Sequence, residues 1–108
     1  MAFKAYHNIN TATDGVDVEL VPVGSNADSI KSILLTNVDS TDITADLYIQ
    51  DSSTGDKHYM LYGTLLPIGA SLLLDSDDML GFNNSLSGYS LNISMGSATD
   101  LINVLIRK

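Results

Sequence analysis

Acid–base or metal chemistry in this 108-residue chain has to come from two histidines and thirteen acids, because cysteine is absent. The histidines, His7 and His58, stand in separate alternating segments. Neither belongs to an HExxH pair, which would set two imidazoles on one helix face around zinc, and neither neighbours a plausible nucleophile. Both read as packing or surface residues. Serine and threonine are plentiful, yet there is no GxSxG elbow, no SxxK pair and no glycine-rich phosphate loop opening a helix. Asp77 and Asp78 resemble the carboxylate pair that glycoside hydrolysis places across a cleft, but a chain this acidic contains such pairs by composition alone. The runs Asp75-Ser76-Asp77-Asp78 and Asp51 to Asp56 offer the oxygen ligands a hard cation takes, without the twelve-residue EF-hand spacing, and solvated turns account for them more simply. No catalytic residue, metal ligand or cofactor is expected.

Thirteen acids against five bases give a net charge of −8, which repels phosphate backbones and leaves few Lys or Arg contacts for them. Nucleic acid is therefore not an expected partner, and the acidity serves solubility. No run approaches the roughly 20 apolar residues of a membrane span. The start, Met1-Ala2-Phe3-Lys4-Ala5-Tyr6-His7-Asn8, has no apolar core behind its lysine, so no secretory leader is expected there and synthesis in a cytoplasm is. Without that leader the sequons Asn83-Asn84-Ser85 and Asn92-Ile93-Ser94 carry no weight as glycosylation sites.

The elements that would position any site are strands. Ile43, Ala45, Leu47 and Ile49 alternate with Thr44, Asp46, Tyr48 and Gln50, the period that sets one apolar face on a core and one polar face in water. Asp51 to Asp56 then reads as a hairpin connection to Lys57–Leu66, where Tyr59, Leu61, Gly63 and Leu65 fall on one side and His58, Met60, Tyr62, Thr64 and Leu66 on the other. Ser29 to Asn37, apolar on both faces near its end, is expected as a central strand covered on both sides. Before it come a short strand over Phe3–Asn8, a turn or crossing over Asn10–Gly15, and a strand with Val16, Val18 and Leu20 inward, ended by Pro22. After it, Pro67-Ile68-Gly69 turns the chain into Ala70–Asp75. A loop with Met79, Leu80 and Phe82 tucked inward leads to Tyr89–Ser94, and Gly96–Thr99 connects to a last strand over Leu101–Ile106.

About eight strands with no credible helix predict one all-β domain over residues 1–108, an antiparallel β-sandwich of Ig-like or jelly-roll topology, with a small closed barrel as the alternative. Stability must come from burial and the hydrogen-bond ladder, since no disulfide is available. Several strands keep apolar or aromatic residues on the face expected to be outer: Tyr48, Met60 and Tyr62 in the middle, and Leu101 and Leu105 in the last strand. If the sandwich buries only its inner faces, these five form an exposed patch, and such patches mark interfaces.

The segments Ser29-Ile30-Lys31-Ser32-Ile33-Leu34-Leu35-Thr36-Asn37, Ala45-Asp46-Leu47-Tyr48-Ile49-Gln50-Asp51, Tyr59-Met60-Leu61 and Leu66-Pro67-Ile68-Gly69-Ala70-Ser71-Leu72-Leu73-Leu74 together resemble the small β-sandwich virion proteins of tailed bacteriophages. Leu86-Ser87-Gly88-Tyr89-Ser90-Leu91 and the last strand extend the likeness over most of the chain from about residue 16. The resemblance implies a non-enzymatic structural subunit of a virus particle, assembled in the host cytoplasm and held by symmetric contacts with its own copies and with proteins such as the major capsid protein. Capsid decoration or cement is the expected station, because the chain has no stalk, coiled coil or collagen-like extension; a neck, tail or fibre subunit is the alternative. A carbohydrate-binding module is a further one, with Tyr48, Tyr59, Tyr62 and Tyr89 as stacking faces. A small hydrolase working through the acidic loops has the least support.

Overall fold

Alternation in the sequence becomes eight strands, described here from a computed structural model covering residues 5–24, 30–75, 80, 82–96 and 100–107. They are β1 (Ala5–Asn10), β2 (Asp17–Val21), β3 (Ser32–Asn37), β4 (Ile43–Asp51), β5 (Lys57–Leu66), β6 (Ser71–Leu74), β7 (Tyr89–Met95) and β8 (Leu101–Arg107). Two four-stranded antiparallel sheets result, with strand orders β1–β8–β3–β6 and β2–β7–β4–β5. The pairs β1/β8, β2/β7, β3/β6 and β4/β5 are those of one long antiparallel ribbon rolled up on itself. That is the jelly-roll order, and it decides between the two sandwich topologies expected. Phe3, Met79 and most of the Gly96–Thr99 connection lie outside the described residues.

The core lies between the sheets and is supplied by alternate residues of both. Ile33, Leu35, Ile102, Val104 and Ile106 come from one sheet and Leu47, Leu91 and Ile93 from the other, all fully buried. Leu80 and Phe82 close the core from the long β6–β7 connection, as the sequence predicts.

The crossing from the first sheet to the second is made by a single helical turn, α1 (Thr11–Asp14), where a turn without helix is the sequence expectation. Polar side chains stabilise it locally. Asn10 caps it by accepting from the Ala12 N–H at 3.0 Å, and Asp14 reaches back to the Asn10 N–H at 2.9 Å. Gly15, at φ +89°, ends the turn. Buried Thr11 ties this crossing to the start of β8: its hydroxyl accepts from the Asp100 N–H at 2.7 Å while its own N–H donates to the Asp100 carbonyl at 3.0 Å.

Three register shifts, one in β2 and two in β5, change what alternation predicts. In β2, Leu20 is the extra residue between Glu19 and Val21, so Leu20 and Val21 both turn inward; Val16, expected inward, precedes the strand and is exposed. β5 carries two register shifts against β4, between Ala45 and Leu47 and again between Leu47 and Tyr48. Each shift inverts the inward–outward parity of the residues beyond it. Thr64 faces inward Ala45 and Leu61 faces inward Leu47, although the strict period puts Thr64 and Leu61 on opposite sides. Gly63 takes the left-handed conformation at φ +61° within the first bulge, and its N–H donates to the Asp46 carboxylate. β3 is central in its sheet, as expected, but it is covered on one face only, and Leu34 on the other face is half-buried.

Candidate functional site

Of the residues with chemistry to offer, His7 and His58 lie on different sheets, in β1 and β5. His7 pairs with Val104 and points between the sheets, and its Nε2 is buried with no hydrogen-bond partner among the described residues. Burial holds its pKa below the usual imidazole value, because a charged ring there would have no partner. The consequence for stability has a definite sign. The unfolded chain takes up a proton near pH 6.5 while the folded ring resists it, so this contribution is complete above about pH 6.5 and is lost as pH falls toward the folded-state pKa. Chemical denaturation from pH 8 down to pH 5 is expected to show that loss, and His7→Gln is expected to remove it. A His7→Gln protein with the wild-type slope across this range would refute the assignment.

His58 instead meets Tyr89 edge-on, with ring centroids 5.9 Å apart. In the β4–β5 loop the Asp51 carboxylate accepts from the Ser53 hydroxyl at 2.7 Å and from the Ser53 N–H at 2.8 Å. These hydrogen bonds hold the acid below its usual pKa and satisfy the turn locally. Asp77 and Asp78 lie outside the described residues. Among the described residues no cavity is present and no three His, Asp or Glu side chains come together in a way that would hold a metal ion. No helix among them is long and apolar enough to cross a membrane. Asn92, in the second sequon, is buried and donates to Ser90 Oγ at 2.9 Å.

What the fold presents instead is two sheet faces of different character. On the outer face of the β2–β7–β4–β5 sheet one rung runs Glu19–Asn92–Tyr48–Tyr59, and the next begins Asp17–Ser94–Asp46. Tyr48 and Tyr59 are 5.4 Å apart, Tyr59 meets Tyr62 edge-to-face at 4.9 Å, and Lys57 Nζ lies 4.8 Å from the Tyr48 ring centre. This cluster covers Tyr48 so completely that only 3 % of it is exposed. The burial raises its phenol pKa, with the nearby Asp17 charge adding to the effect. Tyr62, thrown out by the bulge, is 76 % exposed. Because Tyr59 and Tyr62 meet at 79°, they form no continuous flat platform for a sugar ring.

The outer face of the β1–β8–β3–β6 sheet carries a leucine rung beside a polar, uncharged one. Leu105 lies between Tyr6 and Leu34 in the register, and Leu34 between Leu105 and Leu73, giving a leucine rung across three strands. The neighbouring rung is Asn8–Asn103–Thr36–Ser71, in which the Thr36 and Ser71 hydroxyls are 3.0 Å apart. Leu73, on edge strand β6, is 53 % exposed.

The five residues expected to share one outer patch are therefore divided. Leu101 and Leu105 are half-buried on the outer face of one sheet. Tyr62 projects from the other sheet, Tyr48 lies on that sheet's outer side but is covered, and Met60 packs against the core. Met60 is displaced inward by the bulges, whose register depends on β4 and is invisible to a strict alternation. Leu34 and Leu73 share the outer face with Leu101 and Leu105 and are not among the five expected residues. The signal was present in their odd spacing from the inward Ile33, Leu35, Leu72 and Leu74.

No protein-family model matches the chain, and no curated protein sequence matches it. Among solved structures it is similar to the Anabaena sensory rhodopsin transducer, at 12 % identity over 99 % of this chain and 98 % of that one, with a TM-score of 0.41. A likeness at that score decides neither topology nor role.

Proposed function

We propose that this chain is a non-enzymatic structural protein of a tailed-phage particle, a capsid decoration or cement subunit that acts through its flat surfaces. The observation that carries the reading is the outer face of the β1–β8–β3–β6 sheet, where the strand register holds Leu34, Leu73 and Leu105 in a row outside a core that is already filled. Apolar side chains held in a row by paired strands form a rigid, pre-ordered surface, which suits assembly by shape complementarity. The resemblance of the strand and turn pattern to small phage virion proteins points the same way. An acidic exterior is compatible with a position outside the shell, away from packaged DNA. The partners are the major capsid protein and further copies of this chain, and the location is the virion.

Co-sedimentation of the purified protein with capsids and with tails from its own source tests this. Saturable binding to capsids is expected. Binding to tails alone would move the protein to a neck, tail or fibre station, and binding to neither would overturn the reading.

A further inference from the structure

We propose that the outer face of the β1–β8–β3–β6 sheet is the surface through which one copy of this chain meets a second copy. The inference rests on the assembly part of the function above and is independent of which particle is involved.

The first observation is where the carboxylates are not. The chain carries a net charge of −8, so two copies repel unless they approach through a surface that spares them their acids. On the other sheet the outer face bears Asp17, Glu19 and Asp46. Along the paired outward positions of β1, β8, β3 and β6 there is no Asp or Glu; the charges at the rim are Arg107 and Asp75, which is exposed just past the end of β6. A basic partner would be matched by the acidic face; the acid-free face suits a partner as acidic as this chain.

The second observation is the type of polar group on that face. Asn103, Thr36 and Ser71 each both donate and accept hydrogen bonds, so a rung of them can bond to another copy of itself, which a row of like charges cannot do. Beside it the leucine rung is likewise self-complementary, as an isologous contact requires. The β6 edge, beside Leu73, is only four residues long and offers little backbone for strand addition at that side of the face. A surface four strands wide and about six residues long measures roughly 19 by 20 Å. That is about half the standard interface side of about 800 Å², so the association is weak and shows only at high protein concentration.

Light scattering across a concentration series is expected to show the mass rising from the 11.5 kDa of the monomer toward twice that value. Raising salt from about 0.05 M to about 0.5 M is expected to strengthen association, because the contact itself is neutral while the rest of the two surfaces repel. Leu73→Asp, at a position exposed enough for folding to tolerate it, is expected to weaken association at least tenfold, whereas Tyr62→Asp on the other sheet leaves it unchanged. The cysteine-free chain supplies a second readout: with a bis-maleimide, Leu73→Cys is expected to form covalent dimers and Tyr62→Cys is not. A wild type that stays monomeric throughout overturns the proposal, as does weakening by salt, or a folded Leu73→Asp protein that associates normally. A monomer that still sediments with capsids would refute self-association and leave the particle role standing; an oligomer that ignores every particle would do the reverse.

Discussion

Leu47→Ala is expected to lower the unfolding free energy by about 4 kcal/mol, within the range for emptying a leucine site in a close-packed core. Leu47 is fully buried and lies between Leu61 on β5 and Ile93 on β7, in the middle of its sheet and against the opposite one. The chain has no disulfide to limit the loss. For a domain of this size the melting temperature should fall by about 16 to 30 °C. Tyr48 is the informative comparison, because it is almost as buried as its neighbour yet is absent from the core cluster. Its cover comes from Tyr59 and Lys57 on the outer surface, so Tyr48→Phe is expected to cost less than about 1 kcal/mol. Urea unfolding of both variants checks this, and equal losses would mean that the two faces have been assigned wrongly.

Asn37→Ala should be nearly as damaging, at about 3 kcal/mol. Asn37 is 2 % exposed at the end of β3, where its amide donates to the Leu66 carbonyl at 2.8 Å and the Thr41 carbonyl at 3.0 Å while its side-chain oxygen accepts from the Asp39 N–H at 2.8 Å. One side chain thereby shapes the β3–β4 loop and attaches it to the end of β5. Alanine removes all three bonds and leaves buried backbone groups without partners, each costing about 1 to 3 kcal/mol with partial recovery from water. Thermal melts of Asn37→Ala and of an exposed control in the same loop, Ser40→Ala, give the measurement. A loss below about 1 kcal/mol for Asn37→Ala would show that the loop holds without it.

Asn37 also marks the limit of what was legible beforehand. As punctuation after an apolar strand it could be read directly; as a buried tie between two strands 29 positions apart it could not, because its partners are backbone carbonyls whose location depends on the fold. The strands themselves were readable wherever alternation was clean, above all in β4, and the β4–β5 pairing followed from the short polar connection between them. The Pro67-Ile68-Gly69 turn was readable for the same local reason: Gly69 adopts φ +73° and the Ala70 N–H closes onto the Pro67 carbonyl at 2.9 Å.

The candidate surface is less legible in the sequence than the strands are. Leu101 and Leu105 were placed correctly on an outer face because β8 is regular, with Ile102, Val104 and Ile106 all inward. Met60 was misplaced because bulges in β5 reversed the parity that the alternation assumes, and only Gly63 hinted at them. Tyr48 was correctly put on an outer side, but its covering by Tyr59 required knowing which residue the bulge brings opposite it.

By itself, then, the sequence determined that this chain folds as paired strands around an apolar core, since side-chain period and turn chemistry act over a few residues and need no distant partner. The tertiary structure alone decided the rest. Strand order, bulge register and the placing of an acid-free leucine face opposite an acidic tyrosine face all depend on which strand lies beside which, and hydrogen-bond ladders between residues far apart in the chain settle that.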